Sequence, residues 1–177
     1  MAKNDRVLLD EVISEAAKIR GVDTDGEFFQ RFALEQLLKD RDLSADEIEL
    51  GIVDGRDDGG IDAWYTMLDG ELVTDADDLS GRRGANSVEV LIFTCKHHDT
   101  FRLDSTLSLF TTISELFDLT REHDNLSSTY NEELLASRAL FKAVLIKTAR
   151  FSPRVSFQFS YVSRGDSDLV GDAVRDR

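Results

Sequence analysis

Two runs decide the fold: Asp57-Asp58-Gly59-Gly60-Ile61-Asp62-Ala63-Trp64-Tyr65-Thr66-Met67, and Val88-Glu89-Val90-Leu91-Ile92-Phe93-Thr94-Cys95-Lys96. The first opens on paired aspartates and glycines, which tolerate positive φ, so 54–60 reads as a tight turn. The apolar and aromatic residues behind it predict a strand over 61–67. The second run is apolar at both parities, Val88, Val90 and Ile92 against Leu91, Phe93 and Cys95. That is the pattern of a central strand covered on both faces. The polar segment 69–87 between them, rich in Asp, Gly, Ser and Arg, predicts an exposed, mobile hairpin loop. An acid at the start of one strand and a lysine at the end of its hairpin partner can then converge at one sheet edge. Thr94 and Lys96 are two apart and share a face.

Working outward, residues 6–20 place Val7, Leu8, Ile13, Ala16, Ala17 and Ile19 at helical spacing, and Gly21 supplies a stop. A second helix is predicted from Gly26 to Lys39. Ser44 with Glu47 fits a capping box, and Ile48 to Val53 then reads as a short strand. Beyond Lys96 the pattern gives a helix over 105–119, a polar break at 122–128, a helix over 131–148, and a strand over 155–162 with one solvent-leaning face. The order α-α-β-β-β-α-α-β argues for an α/β fold, a mixed central sheet flanked by helices, as a single domain over 1–177.

The chain has 177 residues, with 35 Asp+Glu against 21 Lys+Arg and a formal net charge of −14. That acidity counts against sequence-blind binding to nucleic acid, which needs positive surface to displace counterions. An acidic enzyme that reaches a phosphodiester through a divalent cation is still compatible with it. Cys95 is the single cysteine, which suits a reducing cytosol. No secretory signal pattern opens the chain, and no apolar stretch approaches the roughly 20 residues that span a bilayer. The expected location is cytoplasmic. The uncapped run Gly171 to Arg177 reads equally as a frayed end or as the point where a longer protein continues.

The candidate chemistry rests on Glu27, in the first turn of the second helix, Asp62 and Lys96. Carboxylates hold hard divalent cations through oxygen. Such a cation polarises a phosphate and activates water, and a nearby lysine neutralises charge growing on the phosphate. Each side chain also has a plainer reading: Asp62 closes a turn, Lys96 is a solvated strand-end lysine, and Glu27 favours a helix N-terminus. Cys95, His97, His98 and Asp99 are too closely spaced for one structural zinc site, and His123 stands alone in sequence. His97 and His98, with Arg102, form a small basic patch beside Lys96, suited to phosphate contact or to a solvated loop. No Ser-His-Asp set or Walker-type phosphate loop is present.

The run Asp57 to Ala63, followed by Leu91-Ile92-Phe93-Thr94-Cys95-Lys96, resembles the PD-(D/E)XK nuclease superfamily. Within it, the chain resembles the N-terminal nuclease-like domain of abortive-infection phage-resistance (AIPR) proteins. The resemblance covers roughly Glu27 to Leu119, and more loosely Val155 to Val162. It implies a restriction-endonuclease-like core, Mg²⁺ or Mn²⁺ as cofactor, and a nucleic acid substrate, DNA ahead of RNA, in phage defence. By position it makes Asp62 the metal-binding acid, Lys96 the catalytic lysine, Glu27 a helix carboxylate that helps hold metal or water, and the Cys95 carbonyl a further ligand. Thr94 stands where the family pattern has Glu, Asp or Gln, and it offers a hydroxyl alone. Either Glu27, Asp57 or Asp58 compensates, or the domain is an inactive, nuclease-derived binding or assembly module. A third reading is an acidic interaction surface for a basic partner. No membrane partner is expected, and a homodimer is left open.

Overall fold

The computed structural model describes residues 3–23, 26–53, 55–99, 103–165 and 170. Helices α1 (Lys3–Arg20), α2 (Gly26–Leu38) and α3 (Ala45–Leu50) precede strands β1 (Ala63–Leu68), β2 (Glu71–Leu72) and β3 (Ser87–Lys96). Helices α4 (Leu103–Leu116) and α5 (Glu132–Thr148) lead to strand β4 (Arg154–Ser163). The sheet runs β2-β1-β3-β4. β1 pairs antiparallel with β2 and β3, while β4 lies parallel to β3, so the sheet is mixed as expected.

Strand periodicity divides the core in two. Trp64 and Leu68 of β1 and Val88, Val90 and Ile92 of β3 face α4 and α5, packing on Leu109, Leu116, Leu134, Phe141 and Val144. Ala63, Tyr65, Met67, Leu91, Phe93 and Cys95 face the other way, onto Ile13 and Ala17 of α1 and the phenylalanines of α2. The two-sided apolar pattern of β3 is the direct consequence: helices cover both of its faces.

Two segments differ from the sequence expectation. Ile48 to Val53 was expected to be a strand, but 45–50 is helical. The capping box forms in full: the Ser44 side chain accepts from the Glu47 N–H, and the Glu47 carboxylate accepts from the Ser44 N–H at 2.8 Å. Satisfying two first-turn donors in this way starts a helix that outweighs the β propensity of isoleucine. Ile52 alone makes an antiparallel bridge, with Ala63. The segment 69–87, expected to be exposed, instead contains β2 and a short 3₁₀ turn and buries Val73, Ala76, Leu79 and Ala85. Asp69 ties its ends, accepting from the N–H groups of Asn86 and Ser87 at 2.8 Å each and from Arg82 at 2.9 Å.

Beyond α4 the chain is anchored by Arg138, whose buried guanidinium donates to the carbonyls of Leu116, Asp118 and Arg121. No helix among the described residues is long and apolar enough to cross a membrane.

Candidate functional site at the Asp62–Lys96 edge

Asp62 immediately precedes β1, and three elements fix its backbone. Its N–H donates to Phe93 O at 2.9 Å, and its carbonyl accepts from Val53 N at 3.0 Å and from Gln30 Nε2 at 2.9 Å. The turn before it is built as the aspartates and glycines require. Asp58 Oδ1 accepts from Gly60 N at 2.7 Å, and Ile61 N donates to Asp58 O at 3.0 Å. Gly59 has φ +62°, and a Cβ there would sit 2.5 Å from the Thr112 methyl and 2.9 Å from the Tyr130 ring. Both conformation and space therefore demand glycine. Thr112 Oγ1 closes the contact by donating to Gly59 O at 2.7 Å, pinning the turn to α4.

The strand geometry brings Asp62 and Lys96 together on the α4/α5 face. Lys96 Nζ lies 3.1 Å from Asp62 Oδ2 and 3.3 Å from Oδ1, and Oδ2 also accepts from the Cys95 N–H at 2.7 Å. Asp62 is only 9% exposed. Burial, reinforced by the nearby Asp58 charge, raises its pKa above the ordinary carboxylate value despite Lys96 and the Cys95 N–H, which pull it down. The pair is a charge held at a desolvation cost, the condition in which functional carboxylates are often found. Cys95 points to the opposite core, where burial pushes its thiol up to about 12, so it is no nucleophile at neutral pH.

Thr94 is buried on the same face as Lys96, and its Oγ1 donates to Gly60 O at 2.6 Å. Its hydroxyl proton thus holds the glycine turn in place. Tyr161 of β4 is its register partner, on the same sheet face, a neighbour that only the parallel pairing of β4 reveals. Glu27 sits exposed at the start of α2, which packs on the other face of the sheet. It lines a cleft with Gln30, Arg31, Glu49, Ile52 and Glu133, a set that includes neither Asp62 nor Lys96. One helical turn on, Gln30 is the α2 side chain that does reach Asp62, through the backbone carbonyl. Its i+3 spacing from Glu27 is the signal that could have marked it.

The basic patch is dispersed. His97 stacks on Phe29, centroids 5.2 Å apart, and its Nε2 lies 2.8 Å from Arg164. Arg164 in turn pairs with Asp10 and Asp99. Burial and Arg164 lower the His97 pKa, which favours the neutral ring. His98 is exposed, with its N–H donating to Lys96 O at 2.7 Å. Arg102 lies outside the described residues. Asp57 is exposed, and its carbonyl accepts from Asn131 N at 2.9 Å.

Among the described residues no group of three His, Cys, Asp or Glu converges as a metal site. At this edge Asp62 offers one carboxylate, the lower limit of what Mg²⁺ takes from a protein when substrate phosphates and water supply the rest. Compared with known proteins, the chain matches no family model, no curated protein and no solved structure.

Proposed function

We propose that this chain is a nuclease-like domain acting on nucleic acid phosphodiester bonds, DNA ahead of RNA, in cytoplasmic phage defence. The observation that carries the reading is the 3.1 Å contact between Lys96 and Asp62, the two residues that the resemblance to the AIPR nuclease-like domain pairs. Lys96 is partly exposed and brings a positive charge to a surface where a phosphate can approach. Asp62, its carboxylate fixed by the Cys95 N–H, holds that charge in place. Asp62 and the Cys95 carbonyl are the groups that would hold Mg²⁺ or Mn²⁺ in company with substrate phosphate. The cation, when bound, polarises the phosphate and activates water.

A second reading, an inactive nuclease-derived binding or assembly module, is favoured by Thr94, whose hydroxyl is engaged by Gly60 where the family pattern has a ligand. One experiment addresses both. Plasmid and RNA nicking is measured with Mg²⁺ or Mn²⁺ for wild type and Lys96→Ala, alongside calorimetric titration of wild type and Asp62→Ala with Mn²⁺. The nuclease reading expects cleavage that Lys96→Ala abolishes, and a sub-millimolar Mn²⁺ site that Asp62→Ala loses. Equal cleavage by wild type and Lys96→Ala sinks it. Absence of both cleavage and Mn²⁺ binding leaves the module.

A further inference from the structure

β4 is the last strand of the sheet, and among the described residues no strand pairs with its outer edge. Edge strands are normally kept short, or blunted by charge, proline or a bulge, because their free N–H and C=O groups template pairing with another chain. β4 has ten residues, and after Arg154 it carries no charge and no proline. Its outward apolar side chains are only half covered: Val155 is 40% exposed, and Phe157 and Phe159 are 45% exposed. The two phenylalanines stack on each other at 6.3 Å, and both meet Phe117 edge-on, at 4.8 and 6.1 Å. Their inner sides are therefore fixed while their outer sides remain open.

Residues 156–160 of this edge read the same in both directions about Gln158. Phe157 mirrors Phe159 and Ser156 mirrors Ser160; beyond them the symmetry ends, with Val155 set against Tyr161. A twofold axis through Gln158 would set an antiparallel copy in the register that matches like with like. Phe157 then opposes Phe159 of the second copy on one face, and Ser156 opposes Ser160 on the other. A closed twofold interface requires this self-complementarity. Cross-strand aromatic pairs stabilise such a ladder. Charge confines where a second copy could dock. A molecule of net charge −14 repels its own copy over most of its surface. β4 is an uncharged strip whose single cation, Arg154, stands at one end. Antiparallel pairing places the two Arg154 residues at opposite ends of the ladder.

We propose that β4 is a homodimer interface, in which two copies pair their β4 edges antiparallel about Gln158 to form one continuous eight-stranded sheet. This proposal stands independently of the nuclease reading. It is tested by sedimentation velocity over a wide concentration range, with Gln158→Glu as the disrupting variant. In a single copy the new carboxylate lies beside Arg41, 3.5 Å from the Gln158 side-chain oxygen and already paired with Glu89, and circular dichroism with urea unfolding is expected to show the fold retained. Across the twofold it faces its own copy, and dimer affinity is expected to fall by roughly tenfold or more. Register is tested by oxidative cross-linking. Ser156→Cys and Ser160→Cys should each link poorly alone and link efficiently when mixed; the native thiol, Cys95, is buried. A wild-type chain that stays monomeric throughout overturns the proposal. So does a dimer indifferent to Gln158→Glu, or a mixture that links no better than either variant alone.

Discussion

Asp62 and Glu115 are both buried carboxylates, 9% and 8% exposed, and both lie beside a cation, yet their proton affinities move in opposite directions. Glu115, near the end of α4, is held down to about 2. The Ser127 N–H donates to it, the Tyr130 hydroxyl donates at 2.8 Å, and Arg121 lies at 3.4 Å. Asp62 sits above its ordinary value, because burial outweighs Lys96 and a single backbone N–H, and Asp58 adds repulsion. Neither side chain is open to solvent, but Asp62 lies deeper among protein atoms and loses more hydration, while more protein donors solvate Glu115; the two effects together separate the pair. Glu115 organises the polar stretch between α4 and α5, a structural role. Asp62 retains a charge that its surroundings only partly compensate, which is consistent with the role proposed for it.

The contrast can be broken most directly at Glu115. Glu115→Gln keeps the shape and removes the charge that three donors solvate, so urea unfolding should show a loss of about 2 kcal/mol. A change within experimental scatter would mean that the network contributes nothing. Acid titration of stability sharpens the same point. The folded pKa of Glu115 is about 2 and the ordinary value is 4.5, so its contribution is present above pH 4.5 and is lost as pH falls toward 2. Wild type should therefore lose more stability across that window than Glu115→Gln.

The smallest effect is expected at Asp62. Its folded pKa is raised, so the stability tied to its protonated form is full below 3.8 and is lost as pH rises through the folded value. Asp62→Asn, which keeps an acceptor for the Cys95 N–H, should match or exceed wild-type stability at neutral pH by no more than about 1 kcal/mol, and the gain should vanish in acid. A loss as large as that of Glu115→Gln would show that Asp62 is structural and would remove the distinction between the two carboxylates.

Much of the sheet was legible from local pattern. Alternation gives β1 and β3 their faces, and the Asp-Asp-Gly-Gly turn fixes where β1 begins, so the approach of Lys96 to Asp62 follows from period-two geometry. The misreading at Ile48 to Val53 had its remedy in the same residues, since the Ser44–Glu47 box is a helix start and the β-branched run behind it is too short to override it. The packing of Val73, Ala76, Leu79 and Ala85 was hidden, because isolated apolar residues in a polar segment carry no period.

By itself, then, the sequence determined the alternating faces of the strands, the two-sided cover of β3 and the meeting of Asp62 with Lys96, because each depends on neighbours a few residues apart or on one strand pairing. Tertiary structure alone decided that Glu27 lies in its own cleft while Gln30 reaches Asp62, that Thr94 turns to Gly60, and that Tyr161 arrives beside it from β4. It also decided that Glu115 is clasped by Ser127 and Tyr130. These depend on where helices and a distant strand settle against the sheet, a balance of long-range packing and desolvation that no local period records.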